Sequence, residues 1–76
     1  MNEKIHIGEL ILQKLKEKER SIAWLAHKVG CDDSNLSKIL KNSRYIYDEL
    51  LFRIAVALEE DFFAHYSRRL KEILNR

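Results

Sequence analysis

Ser21-Ile22-Ala23-Trp24-Leu25-Ala26-His27-Lys28-Val29-Gly30-Cys31-Asp32-Asp33-Ser34-Asn35-Leu36-Ser37-Lys38-Ile39-Leu40 reads as two short helices joined by a tight turn. Ser21 starts the first of them, since its hydroxyl can accept an orphan backbone N–H. Ile22, Leu25, Ala26 and Val29 recur at helical spacing as a buried stripe. Gly30 stops that helix because it tolerates positive φ. Asp32, Asp33 or Ser34 can each cap the next helix, whose inner face is Leu36, Ile39 and Leu40. Two helices that cross closely need a small residue, and Ala26 supplies it. The outward face of the second helix is then Asp33, Ser34, Asn35, Ser37, Lys38 and Lys41, short polar groups followed by bases.

The rest of the chain extends this helical pattern in both directions. Ile7, Leu10, Ile11 and Leu15 mark a preceding helix, which the charged run 16–20 ends without a glycine stop. Asn42-Ser43-Arg44 reads as a loop, and Tyr45-Ile46-Tyr47 as an apolar approach to a fourth helix capped near Asp48. Leu50, Leu51, Ile54, Ala55 and Leu58 give that helix a wide stripe. The acids Glu59, Glu60 and Asp61 suit the N-terminus of a fifth helix, over about 61–75. Its stripe is Phe62, Phe63, Tyr66, Leu70, Ile73 and Leu74. The phenylalanines are expected to finish the core and the later residues to hold a second copy. Strand signals are weak throughout. The expected fold is all-α, five helices in one domain, 1–76, with the helix pair at about 22–41.

Composition bounds the function classes. The chain has 76 residues, no proline, two glycines and one cysteine, with 46% apolar and 34% charged residues. A chain of that length buries only roughly 60% of its unfolded surface, so a second copy would help it. It has no room for a dinucleotide-binding sheet or a built-in sensor domain, so no small-molecule effector is expected. Cys31 alone makes no internal disulfide and lies in the apolar register, which suits a buried small hydrophobe. No 18-residue apolar run and no signal-peptide core are present, so a soluble, cytoplasmic, nucleoid-associated protein with no membrane partner is expected. His6, His27 and His65 are too scattered for a metal cluster, and no metal or cofactor is expected. No phosphate loop, nucleophile elbow or metal triad points to an enzyme.

Net charge is only +2, but its distribution is uneven. Lys28, Lys38, Lys41 and Arg44 stand against Asp32 and Asp33 in residues 21–46, whereas 47–61 hold five acids against Arg53 alone. The final fifteen residues turn basic again, with Arg68, Arg69, Lys71 and Arg76 against Glu72. A polyanion would meet the middle of the chain and its end, not 47–61.

A helix-turn-helix DNA reader needs this combination, with a second helix that enters the major groove end-first. Asp33, Ser34, Asn35, Ser37 and Lys38 are the candidates for base readout. Asn35 can pair bidentately with adenine, the serines with several bases, and Lys38 with guanine or phosphate. Asp33 either caps the helix, the preferred reading, or accepts from a cytosine amino group. Ser21, Lys41, Asn42 and Arg44 are the candidates for phosphate contacts. Tyr66, Leu70, Ile73 and Leu74 are the candidates for a dimer contact. Trp24, just off the stripe, is expected at the edge of the domain against Tyr45 or Tyr47.

The chain resembles the phage repressor and Cro family, the XRE-type helix-turn-helix regulators. Residues 21–40 resemble the family's helix-turn-helix over its full span, and Ile7-Gly8-Glu9-Leu10-Ile11 resembles its first helix. Leu51-Phe52-Arg53-Ile54-Ala55-Val56-Ala57-Leu58 resembles the fourth helix. The segment from Asp61-Phe62-Phe63 to Tyr66-Ser67 is similar to a compact bacterial subgroup. Ile22 stands near the place where many members carry Gln or Thr. The resemblance implies a five-helix lambda-repressor-like domain that binds double-stranded DNA as a homodimer and regulates transcription, as a repressor. Two other readings remain: a protein-interaction module of the same shape, such as an antitoxin or anti-repressor partner, and an RNA binder that depends on Trp24 or the tyrosines.

Overall fold

A computed structural model of the chain describes residues 6–42 and 46–75. Five helices follow one another: α1 (Ile7–Glu17), α2 (Ile22–Val29), α3 (Asp33–Asn42), α4 (Asp48–Leu58) and α5 (Phe63–Leu74). No strand occurs among the described residues. The all-α, five-helix architecture expected from periodicity is the one observed.

One core collects the apolar stripes. It takes Ile7, Ile11 and Leu15 from α1, Leu25, Ala26 and Val29 from α2, and Leu36 and Leu40 from α3. Ile46 and Phe62 close it beside Leu50, Leu51, Ile54 and Leu58 of α4. No polar or charged side chain is buried among the described residues, so apolar burial carries the fold, at roughly 1.5–3 kcal/mol per large side chain. α3 packs against α1 and α2, and α2 also packs against α4.

Gly8 decides how close α1 and α3 come. It is buried, and a Cβ built there would collide with the Leu40 carbonyl oxygen. The two backbones therefore touch at a point where any side chain would push α3 away.

Helix ends are where the structure departs from the expectations. Gly30 does adopt the left-handed conformation, φ 76°, and the Cys31 N–H returns to the Ala26 carbonyl at 2.9 Å. The charged run after α1 makes the same turn with a glutamate, Glu19, at φ 55°. The Glu19 N–H donates to Lys16 O at 3.1 Å and the Arg20 N–H to Leu15 O at 2.9 Å. At the end of α4, Glu59 sits at φ 55°, with the Glu60 N–H donating to Ala55 O at 3.1 Å. The two-bond Schellman closure satisfies the last carbonyls in both cases, so the helices stop without glycine.

At the starts, Ser21 caps α2 as expected, its Oγ accepting from the Trp24 N–H at 3.0 Å. α5 begins at Phe63 rather than near 61, with Phe62 as its N-cap; one residue earlier, Asp61 Oδ1 accepts from the Ala64 N–H at 3.1 Å. Asp48 is the first residue of α4 rather than its cap, a position Tyr47 holds without a side-chain bond. Asp48 and Glu49 instead favour the positive end of that helix. Lys14 reaches Glu17 at 3.1 Å and Glu60 at 3.3 Å, joining α1 to the segment between α4 and α5.

Candidate nucleic-acid interface

The helix pair is held by three kinds of bond. Gly30 turns the backbone, and the Ala26 carbonyl accepts both the Gly30 and the Cys31 N–H. Leu36 and Leu40 anchor α3 in the core, with Ile39 and Cys31 half-buried beside them. Arg53 donates from α4 to Val29 O at 3.4 Å while pairing with Glu49 at 2.9 Å, so one guanidinium covers a carbonyl at the end of α2.

This anchoring leaves the polar face of α3 in solvent. Asp33, Ser34, Asn35, Lys38, Lys41 and Asn42 are exposed, and Ser37 is half-buried. The side chains of Asn35, Lys38 and Lys41 make no hydrogen bond or ion pair among the described residues. Arg44 lies outside the described residues.

Asp32, not Asp33, caps the helix. Its Oδ2 accepts from the Ser34 hydroxyl at 2.7 Å and from the Asn35 N–H at 3.3 Å. Those bonds, the Ser34 hydroxyl first, hold the Asp32 carboxyl below its ordinary range, so it is ionised at neutral pH. Asp33 is the first helical residue, with its carboxylate in solvent. Two site residues thus have a local duty: Ser34 donates to Asp32, and Ser21 accepts from Trp24.

Charge along α3 is graded rather than uniformly basic. Asp32 and Asp33 sit at its start, Lys38 and Lys41 in its second half, and the four formal charges cancel. An approaching polyanion is therefore attracted to the end of the helix and disfavoured at its tip.

The dimer candidates lie together on α5, none of whose residues is buried. Leu70 is 54% exposed, Ile73 47% and Leu74 70%, with Tyr66 on the same stripe. Of the two phenylalanines expected in the core, only Phe62 enters it. Phe63 stays at the surface, lining a shallow groove with Ile46, Leu51 and Tyr66.

Trp24 lies half-buried at the edge of the domain as expected. It lines a groove of about 540 Å³ with Phe52, Arg53, Val56 and Ala57 of α4, not with Tyr47, and Tyr45 lies outside the described residues. Sequence reasoning did not single out Phe52 and Val56, which are 61% and 62% exposed. Their signal was present: they stand four apart and off the stripe formed by Leu51, Ile54, Ala55 and Leu58.

Among the described residues no group of three His, Cys, Asp or Glu side chains could hold a metal ion, and no helix is long and apolar enough to cross a membrane. No family model matches the chain, and no curated protein or solved structure matches it significantly.

Proposed function

We propose that the chain binds double-stranded DNA in a sequence-specific way through α3 and regulates transcription, as a repressor. The observation that carries this reading is the α2–Gly30–α3 unit: α3 is fixed by Leu36 and Leu40 while Asn35 and Lys38 project unpaired into solvent. Asn35 reads a base edge from the first turn of the helix, where a major groove admits it end-first. Lys38 lies one turn further on, at the depth of a guanine edge or a phosphate. Lys41 and Asn42, at the end of α3, contact the backbone and fix the register. The graded charge suits this orientation, because the bases lie where phosphates flank the groove.

A homodimer joined through α5 completes the proposal. The exposed stripe of Leu70, Ile73 and Leu74 is apolar and faces no other part of the described chain as a buried surface. Two copies related by a two-fold axis place their reading helices on successive major grooves, about 34–36 Å apart. Occupancy of such a site would block polymerase.

A second reading, a protein-interaction module of the same shape, is favoured by the balanced charge of α3. Selection of bound duplexes from a random pool separates the two. Enrichment of one palindromic sequence, with affinity that falls steeply with salt, supports DNA reading; a pool that stays random overturns it.

A further inference from the structure

The groove between α2 and α4 has no part in DNA reading as proposed. α2 packs against both α3 and α4, and the groove is lined by residues of α2 and α4 and by Glu59, with none from α3. Its floor is Trp24 and Ala57, and one wall is Phe52 with Val56, one helical turn apart and more than half exposed. Trp24 and Ala57 pack half-buried against the core, whereas Phe52 and Val56 lie outside it, since α4 already fills it with Leu50, Leu51, Ile54 and Leu58. A trough between two helices, lined by apolar residues one turn apart, has the shape that accepts a third helix.

Charge selects the occupant. The Arg20 guanidinium stands 4.9 Å from the centre of the Trp24 ring and the Lys28 ammonium 5.7 Å from it. Neither cation pairs with a carboxylate among the described residues. Lys28 lines the groove and Arg20, just before α2, stands over the Trp24 ring that lines it, so two positive charges lie at this aromatic side chain. On the other wall Arg53 is neutralised by Glu49, and Glu59 stands at the end. A second copy's α5 fits poorly, since its polar side bears Arg68, Arg69 and Lys71 against Glu72 and would meet Arg20 and Lys28 as like charges.

We propose that this groove docks an amphipathic helix of a partner protein, with apolar residues at i, i+3 or i+4 and i+7 and a flank of Asp and Glu facing Arg20 and Lys28. The helix lays its apolar side on Phe52, Val56 and Trp24. Its carboxylates answer the two cations, and the partner is held by α2 and α4 rather than by the α3 residues proposed to read DNA.

Trp24 is the chain's single tryptophan, so its emission reports the groove directly. The probes are two side-chain-stapled helical peptides of about 14 residues, a length that needs the staple to stay helical. Both carry Leu at i, i+4 and i+7; one has Glu along the flank and the other Lys. The acidic peptide is expected to change Trp24 emission saturably and to bind about tenfold more tightly than the basic one. Arg20→Glu with Lys28→Glu should reverse that preference. Phe52→Ser with Val56→Ser should abolish binding while helical circular dichroism is retained, because both positions are exposed. The proposal is overturned if the acidic peptide gives no saturable change, if both peptides bind alike, or if binding survives Phe52→Ser with Val56→Ser. It is also overturned if the parent protein is a dimer that this double variant dissociates, because a second copy would then occupy the groove.

Discussion

Gly8 of α1 lies directly beneath the Leu40 carbonyl of α3, so close that a Cβ at position 8 would overlap the oxygen. In an unconstrained helix interior, alanine in place of glycine gains about 0.5–1 kcal/mol. Here the sign reverses, because the added methyl must displace the backbone of α3 at Leu40. Gly8→Ala is expected to lower stability by about 1–3 kcal/mol in urea unfolding. It should also weaken the proposed DNA binding, since α3 shifts relative to α2. A variant as stable as the parent would show that α1 and α3 are not in backbone contact.

Glu19 and Glu59 hold left-handed conformations that cost an L-residue more than glycine. Glu19→Gly and Glu59→Gly should each raise stability by about 0.5–1 kcal/mol. The sites are at the ends of different helices, so the gains should add. Glu19→Ala is the control, as it removes the charge and keeps the backbone penalty. Thermal melts in which Ala matches Gly would trace the gain to charge instead.

These two glutamates also mark the limit of what residue types disclose. The stripes of α2, α3 and α4 were legible because burial enforces helical spacing, and Leu25, Leu36 and Ile54 had no alternative face to occupy. Ser21 and Gly30 were legible because each does something few residues do. Glu19 and Glu59 were not, since glutamate carries no preference for positive φ, and the tertiary fold imposes the turn. Asp32 against Asp33 was undecidable by type alone; one residue of register settled it, through bonds to Ser34 and Asn35. The closeness of Gly8 to Leu40, 32 positions apart, is a property of packing and not of local pattern. At the candidate site, the exposure of Asn35 and Lys38 follows from the register of Leu36 and Leu40, whereas the position of Trp24 depended on which helix crosses it.

The capping of α3 by Asp32 makes stability pH-dependent in a defined window. Its carboxyl is held below the usual 3.8, so its contribution is complete above that pH and is lost as pH falls through the lower folded-state value. Glu17, held down by Lys14 and then by Gln13, acts in the same direction. Lys14, held above 10.5 by Glu17 and then by Glu60, acts at the other end and loses its contribution only at strongly alkaline pH. Asp32→Asn should therefore be less stable than the parent at pH 7, with the difference narrowing below about pH 4. Urea unfolding across that range measures it, and a constant difference would remove Asp32 from the cap.

The proposed DNA reading assigns base contact and phosphate contact to different residues of α3. Asn35→Ala should reduce the preference for the selected duplex over random duplex by about 1–3 kcal/mol and leave random binding intact. Lys41→Ala should weaken both alike and lower the slope of log affinity against log salt by about 1. Anisotropy titrations at several salt concentrations distinguish them. Equal binding of all duplexes by the parent and Asn35→Ala would remove Asn35 from base reading.

The dimer proposal is tested most cleanly at α5, because none of its residues is buried and substitutions there spare the core. Leu70→Asp with Ile73→Asp places two carboxylates in the apolar stripe, and a second copy could close over them only by burying unpaired charge. Sedimentation should show a folded monomer with a melting temperature close to the parent's, extrapolated to low concentration. DNA affinity should fall far more for a two-half-site duplex than for a single half-site, since only the former gains from linking two readers. A dimer that survives this double substitution places the contact on another face. Equal losses on both duplexes would mean that α5 supports the fold of the reader rather than its pairing.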